Sequence, residues 1–385
     1  MSQTGADENS RIFATEDARQ IARRRLPKLI YDFIEGGVGD ETAVSANRAA
    51  FDQVKLQPRV LRQVAKRDLS KTFLGQTYKL PFGIAPMGMC NLAHPRADAL
   101  LARMALAHGI PVCLSTVGST TIEDMARLSE GTAWFQLYVG QTQEAGFELS
   151  DRAAAAGYET LMLTVDVPQV SRRVRDLRNG FKIPFKMGVK QFLDFATHPG
   201  WSLPMLKAGA PAPVNFGKGG GNFARGAPRA GADWDFLGKL RDRWRGKLIV
   251  KGVTSPEDAA RIASMGADAV IVSNHGARQI DSGPGALTAL EPVRAAVGPD
   301  YPLMFDSGIR TGDDVVRALA MGADFVLIGR PWLFALGAEG ERGLMTLADV
   351  FAQEIGMTLA QIGVPVIEDL SREVLVDVHR DRGNS

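Results

Sequence analysis

The chain contains 385 residues, of which 45% are hydrophobic and 23% are charged, a composition typical of a globular protein. Its 45 basic and 43 acidic side chains leave a net charge of +2, so nothing in the overall charge favours a nucleic-acid partner. No stretch approaches the roughly 18 apolar residues that a membrane-spanning helix needs, and the polar N-terminus (MSQTGADENS) lacks the apolar core of a secretion signal. Cys90 and Cys113 lack metal-site spacing. We therefore expect a cytoplasmic protein without a metal site.

Short apolar runs bounded by turn residues recur along the chain. Continuous apolar runs, in contrast to alternating ones, are typical of strands that are buried on both faces. Eight runs fit this pattern: 82–85 (FGIA), 112–115 (VCLS), 134–138 (WFQLY), 161–166 (LMLTVD), 248–251 (LIVK), 269–273 (AVIVS), 303–306 (LMFD) and 325–329 (FVLIG).

Helix-like segments separate these runs. Thr121, Ser255 and Thr311 each precede acidic residues, which is the pattern of a helix N-terminus. Gly266 and Gly322 follow helical stretches, as C-capping glycines do. Strand and helix units in series predict an α/β fold, a (β/α)8 TIM barrel. An open doubly wound sheet is the alternative, because the number of strands does not prove closure.

The remaining segments predict a single domain over residues 1–385. Residues 1–80 form a helical lead, 81–363 the barrel and 364–385 a C-terminal tail. Residues 180–232, between the fourth and fifth strands, form a long insertion that is rich in glycine and proline but also carries large apolar side chains. Loops of this length in a barrel are usually lids or interaction surfaces. We expect a long structureless loop that acts as a mobile active-site flap and also contacts a membrane or a partner; a merely disordered loop is the alternative.

Polar and charged residues end the apolar runs, where such barrels carry their active sites. Glycines and arginines after the seventh and eighth runs, in DSGIR (306–310) and GRP (329–331), favour a phosphate site. Lys251 ends the fifth run, and a buried lysine needs either an anionic or electron-rich cofactor or a salt bridge to Asp306. His275 follows the sixth run close to Arg278, an arrangement that suits a base acting on an anionic substrate. The other four histidines lack such neighbours.

Six motifs resemble one family. They are FQLY (135–138), LTVD (163–166), VKG (250–252), SNHGARQ (273–279), DSGIR (306–310) and GRP (329–331). Together they are similar to the FMN-dependent α-hydroxy-acid oxidising family, which includes glycolate oxidase, L-lactate dehydrogenase and mandelate dehydrogenase. The resemblance runs from about Leu26 to Gly363 and implies the family's barrel, its FMN and its conversion of an L-2-hydroxy acid to the 2-oxo acid.

The resemblance also implies how FMN is held. The phosphate contacts would be Gly308, Arg310, Gly329 and Arg330, with Asp306 on the ribityl chain. Lys251 would face the flavin at N1 and the C2 carbonyl, where reduction places negative charge, with Ser273 beside it. The residues that would line the isoalloxazine ring are Pro86, Met87, Gly88, Ser115, Gln136 and Thr164.

For the substrate, the resemblance implies that Arg173 and Arg278 bind the carboxylate and that Tyr138 hydrogen-bonds near the α-hydroxyl. His275 would be the base, and Asp166 would stabilise the imidazolium that forms. Both a carbanion route and a hydride route to the flavin need these residues, so the sequence leaves the two open.

Two positions depart from the family's pattern. The segment LPKLIYDF (26–33) ends in Phe33, where relatives have a tyrosine that contacts the substrate carboxylate. A lost hydroxyl in a desolvated site costs roughly 1–3 kcal/mol if its partner is left unpaired. Met87 stands where relatives often have threonine. Both changes favour a larger, less polar or masked substrate over lactate or glycolate, and neutral drift at the two positions is the alternative.

The insertion bears on the electron acceptor. The segment THPGWSLPML (197–206) resembles a loop of bacterial lactate and mandelate dehydrogenases, some of which dock on the membrane and reduce quinone. The resemblance therefore favours a dehydrogenase, peripheral at the inner face of the cytoplasmic membrane and homotetrameric. The alternatives are an O2-dependent oxidase, a flavin enzyme acting on a larger hydroxy- or amino-acid-containing molecule, an FMN-binding isomerase and a non-catalytic binding barrel.

Overall fold

A computed structural model describes residues 10–140, 142–181, 187–216 and 231–376. The glycine-rich stretch GKGGGN (217–222), for which the sequence predicts mobility, lies outside the described residues, as does His379.

Eight parallel strands close into a barrel. Every apolar run of the sequence is one of them, with ends that differ by at most two residues, so the TIM barrel is confirmed and the open sheet is wrong. The strands are β3 (Phe82–Met87), β4 (Val112–Ser115), β5 (Trp134–Leu137), β6 (Thr160–Thr164), β7 (Lys247–Val253), β8 (Ala269–Val272), β9 (Leu303–Phe305) and β10 (Phe325–Ile328). β10 pairs with β3, which closes the ring.

A helix follows each strand along the outside of the barrel. The expected caps are present, because the side chains of Thr121, Ser255 and Thr311 each accept a hydrogen bond from a backbone N–H in the first turn. The helices are α4 (Ala97–His108), α5 (Ile122–Leu128), α6 (Gln143–Ala155), α10 (Trp234–Arg243), α11 (Pro256–Ser264), α12 (Ala286–Val297), α13 (Gly312–Ala320) and α14 (Arg330–Ile362). α14 bends at Gly340, whose φ of 63° suits only a residue without a Cβ.

Apolar side chains from the strands fill the barrel interior, and a hairpin that the sequence did not predict closes its lower end. Strands β1 (Lys71–Phe73) and β2 (Gln76–Tyr78) pair antiparallel. The rings of Phe73 and Phe325 stack with centroids 5.3 Å apart. Three-residue strands are too short for a periodic pattern, so only their packing against the barrel identifies them.

The lead is helical, as expected, between residues 15 and 53, but residues 54–70 contain no helix, so the expectation is wrong there. The helices of the lead are α1 (Thr15–Arg25), α2 (Lys28–Glu35) and α3 (Thr42–Gln53). α1 packs on α14, and the tail returns to the lead through bridges that pair Val366 with Asp68 and Leu375 with Leu56. The C-terminal end of α2 approaches the carboxyl ends of the barrel strands.

The insertion is not a structureless loop where it is described, so that expectation is wrong for residues 189–208. After the short helix α7 (Val174–Asn179) come α8 (Val189–Ala196) and α9 (Pro199–Ala208). The Phe195 and Trp201 rings meet edge to face at 5.0 Å, and the Trp201 indole N–H donates to the Leu92 carbonyl at 2.8 Å. The glycines and prolines around this segment hid its helices. None of the described helices is long and apolar enough to cross a membrane.

Candidate active site

A cavity opens at the carboxyl ends of the strands, beside the end of α2. Most of the residues singled out from the sequence line it: Phe33, Pro86, Met87, Gly88, Tyr138, Arg173, Lys251, His275, Arg278, Asp306, Gly308, Arg310, Gly329 and Arg330. Ser115, Gln136, Thr164, Ser273 and Asp166 do not line it, although Ser273 contacts Lys251 and Asp166 contacts His275. The fold therefore brings together side chains that are up to about 300 positions apart in the sequence.

His275 is held between two partners. Its Nδ1 lies 3.0 Å from Asp166 Oδ1, and its Nε2 lies 3.3 Å from the Tyr138 hydroxyl. The backbone of His275 is left-handed (φ 58°), an uncommon conformation for a non-glycine residue, and Gly276 and Ala277 continue it. This turn aims the imidazole back into the cavity.

Burial lowers the pKa of His275, although the carboxylate of Asp166 opposes the shift. Burial by itself would raise the pKa of Asp166, but the charge and hydrogen bond of His275 lower it overall. An ionised carboxylate behind a neutral imidazole leaves Nε2 free of its proton on the cavity side, provided Nδ1 carries the proton toward Asp166. The arrangement suits a general base.

Lys251 forms the salt bridge that the sequence offered as one of two explanations for its burial. Its Nζ lies 2.9 Å from Asp306 Oδ2 and donates to Ser273 Oγ at 2.8 Å. Burial disfavours the ammonium, but the carboxylates of Asp306 and Asp166 outweigh it and raise the pKa of Lys251. Lys251 therefore stays charged at the cavity wall, where it can also face an anionic or electron-rich group.

Three buried polar side chains that do not line the cavity form a hydrogen-bonded chain. Ser115 Oγ donates to Gln136 Oε1 at 2.9 Å, and Gln136 Nε2 donates to Thr164 Oγ1 at 2.9 Å. Each sits at the carboxyl end of its strand, on three adjacent strands of the barrel. This ladder fixes the orientation of the amide and satisfies groups that would be costly to bury alone.

Two half-buried arginines meet at the end of α2. Arg278 Nη2 donates to the carbonyls of Phe33 (3.0 Å) and Ile34 (2.5 Å), and Arg330 donates to those of Ile34 (3.1 Å) and Gly36 (3.0 Å). These carbonyls lack partners within the helix and carry its partial negative charge, so they suit guanidinium groups.

The hydrogen bonds to backbone carbonyls do not fully offset the burial of the positive charges on the cavity arginines. Burial, reinforced by neighbouring arginines, lowers the pKa of Arg330 to about 9 and that of Arg310 to about 10. Burial also holds the pKa of Arg278 well below its usual value. A cavity with several half-buried cations of this kind is suited to an anion.

A glycine makes room for one of these arginines. A Cβ on Gly276 would lie 2.5 Å from Arg330 Nη1, and the φ of Gly276 is 64°. Gly308 also has positive φ (90°), and its carbonyl accepts from Arg48 Nη1 at 2.6 Å. Arg48 in turn pairs with Asp314 at 2.6 Å.

Phe33 occupies the space between two of the arginines. The guanidinium carbons of Arg173 and Arg278 lie 5.9 Å and 5.7 Å from its ring centroid, within the range of cation–π contact. The ring also stacks on Phe181 with centroids 4.6 Å apart. The aromatic ring thus keeps both cations in place without a hydroxyl.

Sequence reasoning missed several residues of the site. Ser307 Oγ accepts from the Gly276 N–H at 2.9 Å and donates to Asp306 at 2.8 Å, which links two loops that carry predicted residues. It lies inside the DSGIR motif, so its position was a usable signal. Four apolar wall residues had none, because apolar residues occur throughout the sequence: Met89, Val117, Val167 and Val170.

The cavity fits FMN. The half-buried arginines offer charge to a phosphate, the glycines at 308 and 329 allow close approach of the backbone, and Lys251 offers charge to an electron-rich ring. Pro86, Met87 and Gly88 provide a surface for a flat ring. Among the described residues, no group of three or more His, Cys, Asp or Glu side chains could hold a metal ion.

Comparisons with known proteins agree with this geometry. Residues 22–377 match the family model of the FMN-dependent dehydrogenases. The chain is 42% identical over 372 residues to the (S)-mandelate dehydrogenase of Pseudomonas putida, with 94% of each chain covered. It is 37% identical over 383 residues to the L-lactate dehydrogenase of Pseudomonas syringae pv. syringae (strain B728a), covering 95% of this chain and 98% of the relative.

A solved structure is similar throughout. The crystal structure of the monotopic membrane protein (S)-mandelate dehydrogenase superposes with a TM-score of 0.91 at 41% identity, covering 95% of this chain and 100% of the other. A mandelate oxidase structure superposes with a TM-score of 0.81 at 32% identity, covering 94% of this chain and 98% of the other. With its closed barrel, its cationic cavity and a family match over most of its length, the chain belongs to the FMN-dependent dehydrogenases.

Proposed function

We propose that this protein oxidises an L-2-hydroxy acid to the 2-oxo acid, with His275 as the base that removes a substrate proton. The observation that carries the proposal is the contact of His275 with Asp166 on one ring nitrogen and with Tyr138 on the other, beside two arginines. Bound FMN supplies an acceptor for the two electrons that the substrate loses. Relatives named mandelate and lactate dehydrogenase support this reaction class.

The residues that hold FMN follow from the chemistry of the cavity wall. We assign the phosphate to Gly308, Arg310, Gly329 and Arg330, because half-buried cations and accessible backbone N–H groups suit a dianion. We assign Asp306 to the ribityl chain, because its carboxylate can accept further hydrogen bonds besides the contacts with Lys251 and Ser307.

The ring has its own set of residues. Lys251 lies where a charge would stabilise electron density on the flavin, and Ser273 fixes its ammonium. Pro86, Met87 and Gly88 offer a face to the ring. The hydrogen-bonded ladder of Ser115, Gln136 and Thr164 does not line the cavity, so its part is to fix groups near the ring edge.

The substrate carboxylate is assigned to Arg173 and Arg278. Both guanidinium groups lie at the cavity next to Phe33, and Tyr138 can donate a hydrogen bond near the α-hydroxyl. As His275 takes up a proton, the ionised Asp166 at 3.0 Å stabilises the imidazolium. These contacts orient the substrate, neutralise its charge and place the base beside it.

The apolar wall supports a hydroxy acid with a large apolar side chain. Five apolar residues line the cavity: Phe33, Met87, Val117, Val167 and Val170. The phenyl group of a substrate such as mandelate would be removed from water against them, whereas the methyl group of lactate would leave part of the space unfilled. Burying a side chain of that size stabilises binding by roughly 1.5–3 kcal/mol.

Anaerobic mixing with a panel of 2-hydroxy acids tests the reaction and the preference together. We expect bleaching of the flavin by (S)-mandelate at a concentration roughly tenfold or more below that needed for L-lactate. Phe33→Tyr should lower the concentration needed for both acids by a similar factor, because the carboxylate that its hydroxyl would contact is common to both. Absence of bleaching by every 2-hydroxy acid would refute the function, and equal efficiency with both acids would refute the preference.

We assign electron transfer to a quinone or another organic acceptor. The support is similarity to proteins named dehydrogenases, although a mandelate oxidase is also a structural neighbour. Reoxidation of the reduced enzyme by a quinone analogue should outpace reoxidation by oxygen. Fast reaction with oxygen and release of peroxide would identify an oxidase instead.

Helices α8 and α9 support peripheral contact with a membrane. Five of their apolar side chains are exposed: Val189 (79%), Phe192 (60%), Leu193 (58%), Leu203 (65%) and Leu206 (77%). Exposed apolar clusters of this kind mark interaction sites, and helices that lie in the interface bury such faces in lipid. A structural neighbour is described as a monotopic membrane protein.

Sedimentation with phospholipid vesicles tests this contact. Serine at Phe192, Leu193, Leu203 and Leu206 should abolish co-sedimentation, because each lost side chain removes roughly 1.5–3 kcal/mol of burial in lipid. The matched control replaces Val60 and Leu61, which are 80% and 102% exposed elsewhere on the surface. Equal loss in both variants, or none in the first, would contradict the assignment.

We further propose a homotetramer, which sedimentation velocity would test.

A further inference from the structure

Arg175 is a charged residue near the cavity that the proposed chemistry does not use. It lies in α7, two residues after Arg173, and does not line the cavity. Its Nη1 lies 2.8 Å from Glu35 Oε2 and 3.5 Å from Asp32 Oδ1, and its Nη2 lies 2.5 Å from Glu41 Oε2. A single guanidinium therefore contacts three carboxylates, one from the loop before α3 and two from α2.

Residues 170–179, the segment that contains Arg175, contribute to one wall of the cavity. Val170, Ser171 and Arg173 line that wall. Ser171 Oγ donates to the Arg278 carbonyl, and the Gly39 N–H donates to the Arg172 carbonyl at 3.4 Å. These contacts hold the start of the segment.

The end of the segment is tied to α2. Asn179 Nδ2 donates to Asp32 Oδ2 at 2.6 Å, and Arg175 reaches Glu35 one helical turn further along α2. The carbonyls of Phe33 and Ile34 on that same helix hold Arg278. Helix α2 thus supports both arginines assigned to the substrate. Its backbone holds Arg278, its Phe33 ring lies against Arg173, and its ion pairs with Arg175 hold the segment that carries Arg173.

We propose that Arg175, together with Glu35 and Glu41, is a positioning latch that holds Arg173 at the distance from Arg278 that a substrate carboxylate requires. The inference rests on the proposed function, because it assigns a task to Arg175 only if a carboxylate binds between Arg173 and Arg278. Arg175 itself touches neither substrate nor FMN. A displacement of about 1 Å in a positioning group can change efficiency by up to roughly a hundredfold.

The charges around the latch support this role. Burial disfavours the Arg175 guanidinium, but its hydrogen bonds to Glu35 and Glu41 raise its pKa overall. Glu35 also accepts from the Tyr31 hydroxyl at 2.8 Å and from Arg19, which fixes the carboxylate independently of Arg175. The carboxylate of Glu35 is therefore held in part by contacts that do not involve α7.

Arg175→Met tests the latch in the FMN-loaded enzyme. We expect KM for the hydroxy acid, and the Kd of the 2-oxo acid measured from the flavin absorbance change, to rise roughly tenfold or more. The FMN content and the thermal midpoint should stay near those of the wild type, and kcat should fall much less than KM rises. Arg175→Lys should recover part of the affinity, because a single ammonium can reach Glu35 or Glu41 but not both.

The matched control is Arg172→Met, which removes an exposed guanidinium from the neighbouring position. If Arg175→Met and Arg172→Met bind the 2-oxo acid equally well, the latch is refuted. A fall in FMN content or thermal midpoint that accounts for the whole effect would also refute it, since that marks a purely structural role. Glu41→Gln combined with Arg175→Met should cost no more than Arg175→Met alone, because that change already removes the contact with Glu41. Failure of the wild type to bind any 2-oxo acid would instead overturn the proposed function.

Discussion

His275→Gln should retain FMN but reduce it with substrate roughly 10²- to 10⁴-fold more slowly than the wild type, the range of a lost general base. Glutamine can keep the contact with Tyr138, but it cannot take up a proton. Anaerobic stopped-flow absorbance at the flavin bands measures this rate, and the ratio of flavin to protein measures cofactor retention. Rapid reduction in the variant would refute the assignment of the base.

His94→Gln is the control, because His94 is a half-buried histidine outside the cavity. Substrate should reduce FMN in this variant at the wild-type rate. The pH profile gives a second check. Since burial lowers the pKa of His275 below its ordinary value of 6.5, the imidazole is already neutral at pH 7. The rate of reduction should therefore rise with pH through a pKa below 6.5 and be level above it. An inflection well above 6.5 would contradict this assignment.

Arg330→Met should weaken FMN binding by about 1.5–3 kcal/mol, the contribution of a hydrogen bond to a charged group, or roughly 10- to 150-fold. Arg330 is half-buried, is held by the carbonyls of Ile34 and Gly36, and lies at the start of α14. Titration of the apoprotein with FMN, followed by flavin fluorescence, measures the change.

Riboflavin, which lacks the phosphate, is the matched ligand for this experiment. If Arg330 binds the phosphate, the variant should bind riboflavin as the wild type does, and the preference for FMN should shrink by the same factor as the affinity. Equal loss for both ligands would show that Arg330 supports the cavity without contacting phosphate. Gly276→Ala should also weaken FMN binding, because the new Cβ would lie 2.5 Å from Arg330 Nη1 and the guanidinium would have to move.

The site was predictable from the sequence where a polar residue follows a buried strand. His275, Lys251 and Asp306 end continuous apolar runs, and the carboxyl ends of parallel strands in a barrel all face one side. Their positions at the ends of the strands were therefore enough to predict that they lie near one another. This prediction did not depend on knowing which side chains contact each other.

Contacts between distant segments were not predictable in this way. The sequence offered either a salt bridge or a cofactor as the partner of Lys251. The structure shows the salt bridge, at 2.9 Å to Asp306, and leaves Lys251 on the cavity wall, so the two readings are compatible. The same holds for Arg175, whose three carboxylates come from the lead and lie more than 130 positions away. No pattern in the sequence pairs those charges.

The sequence by itself determined the eight strands, because continuous apolar runs are local signals that neighbouring positions carry, and its motifs identified the family. Closure of the barrel was decided by the pairing of β10 with β3, since the number of strands had left an open sheet possible. Only the tertiary structure decided that residues 189–208 contain helices, that a short hairpin closes the barrel and that α2 contacts both Arg278 and Arg175. These features depend on packing energy between segments far apart in the chain. Local propensity is weak against such contacts, so the sequence could not rank the alternatives.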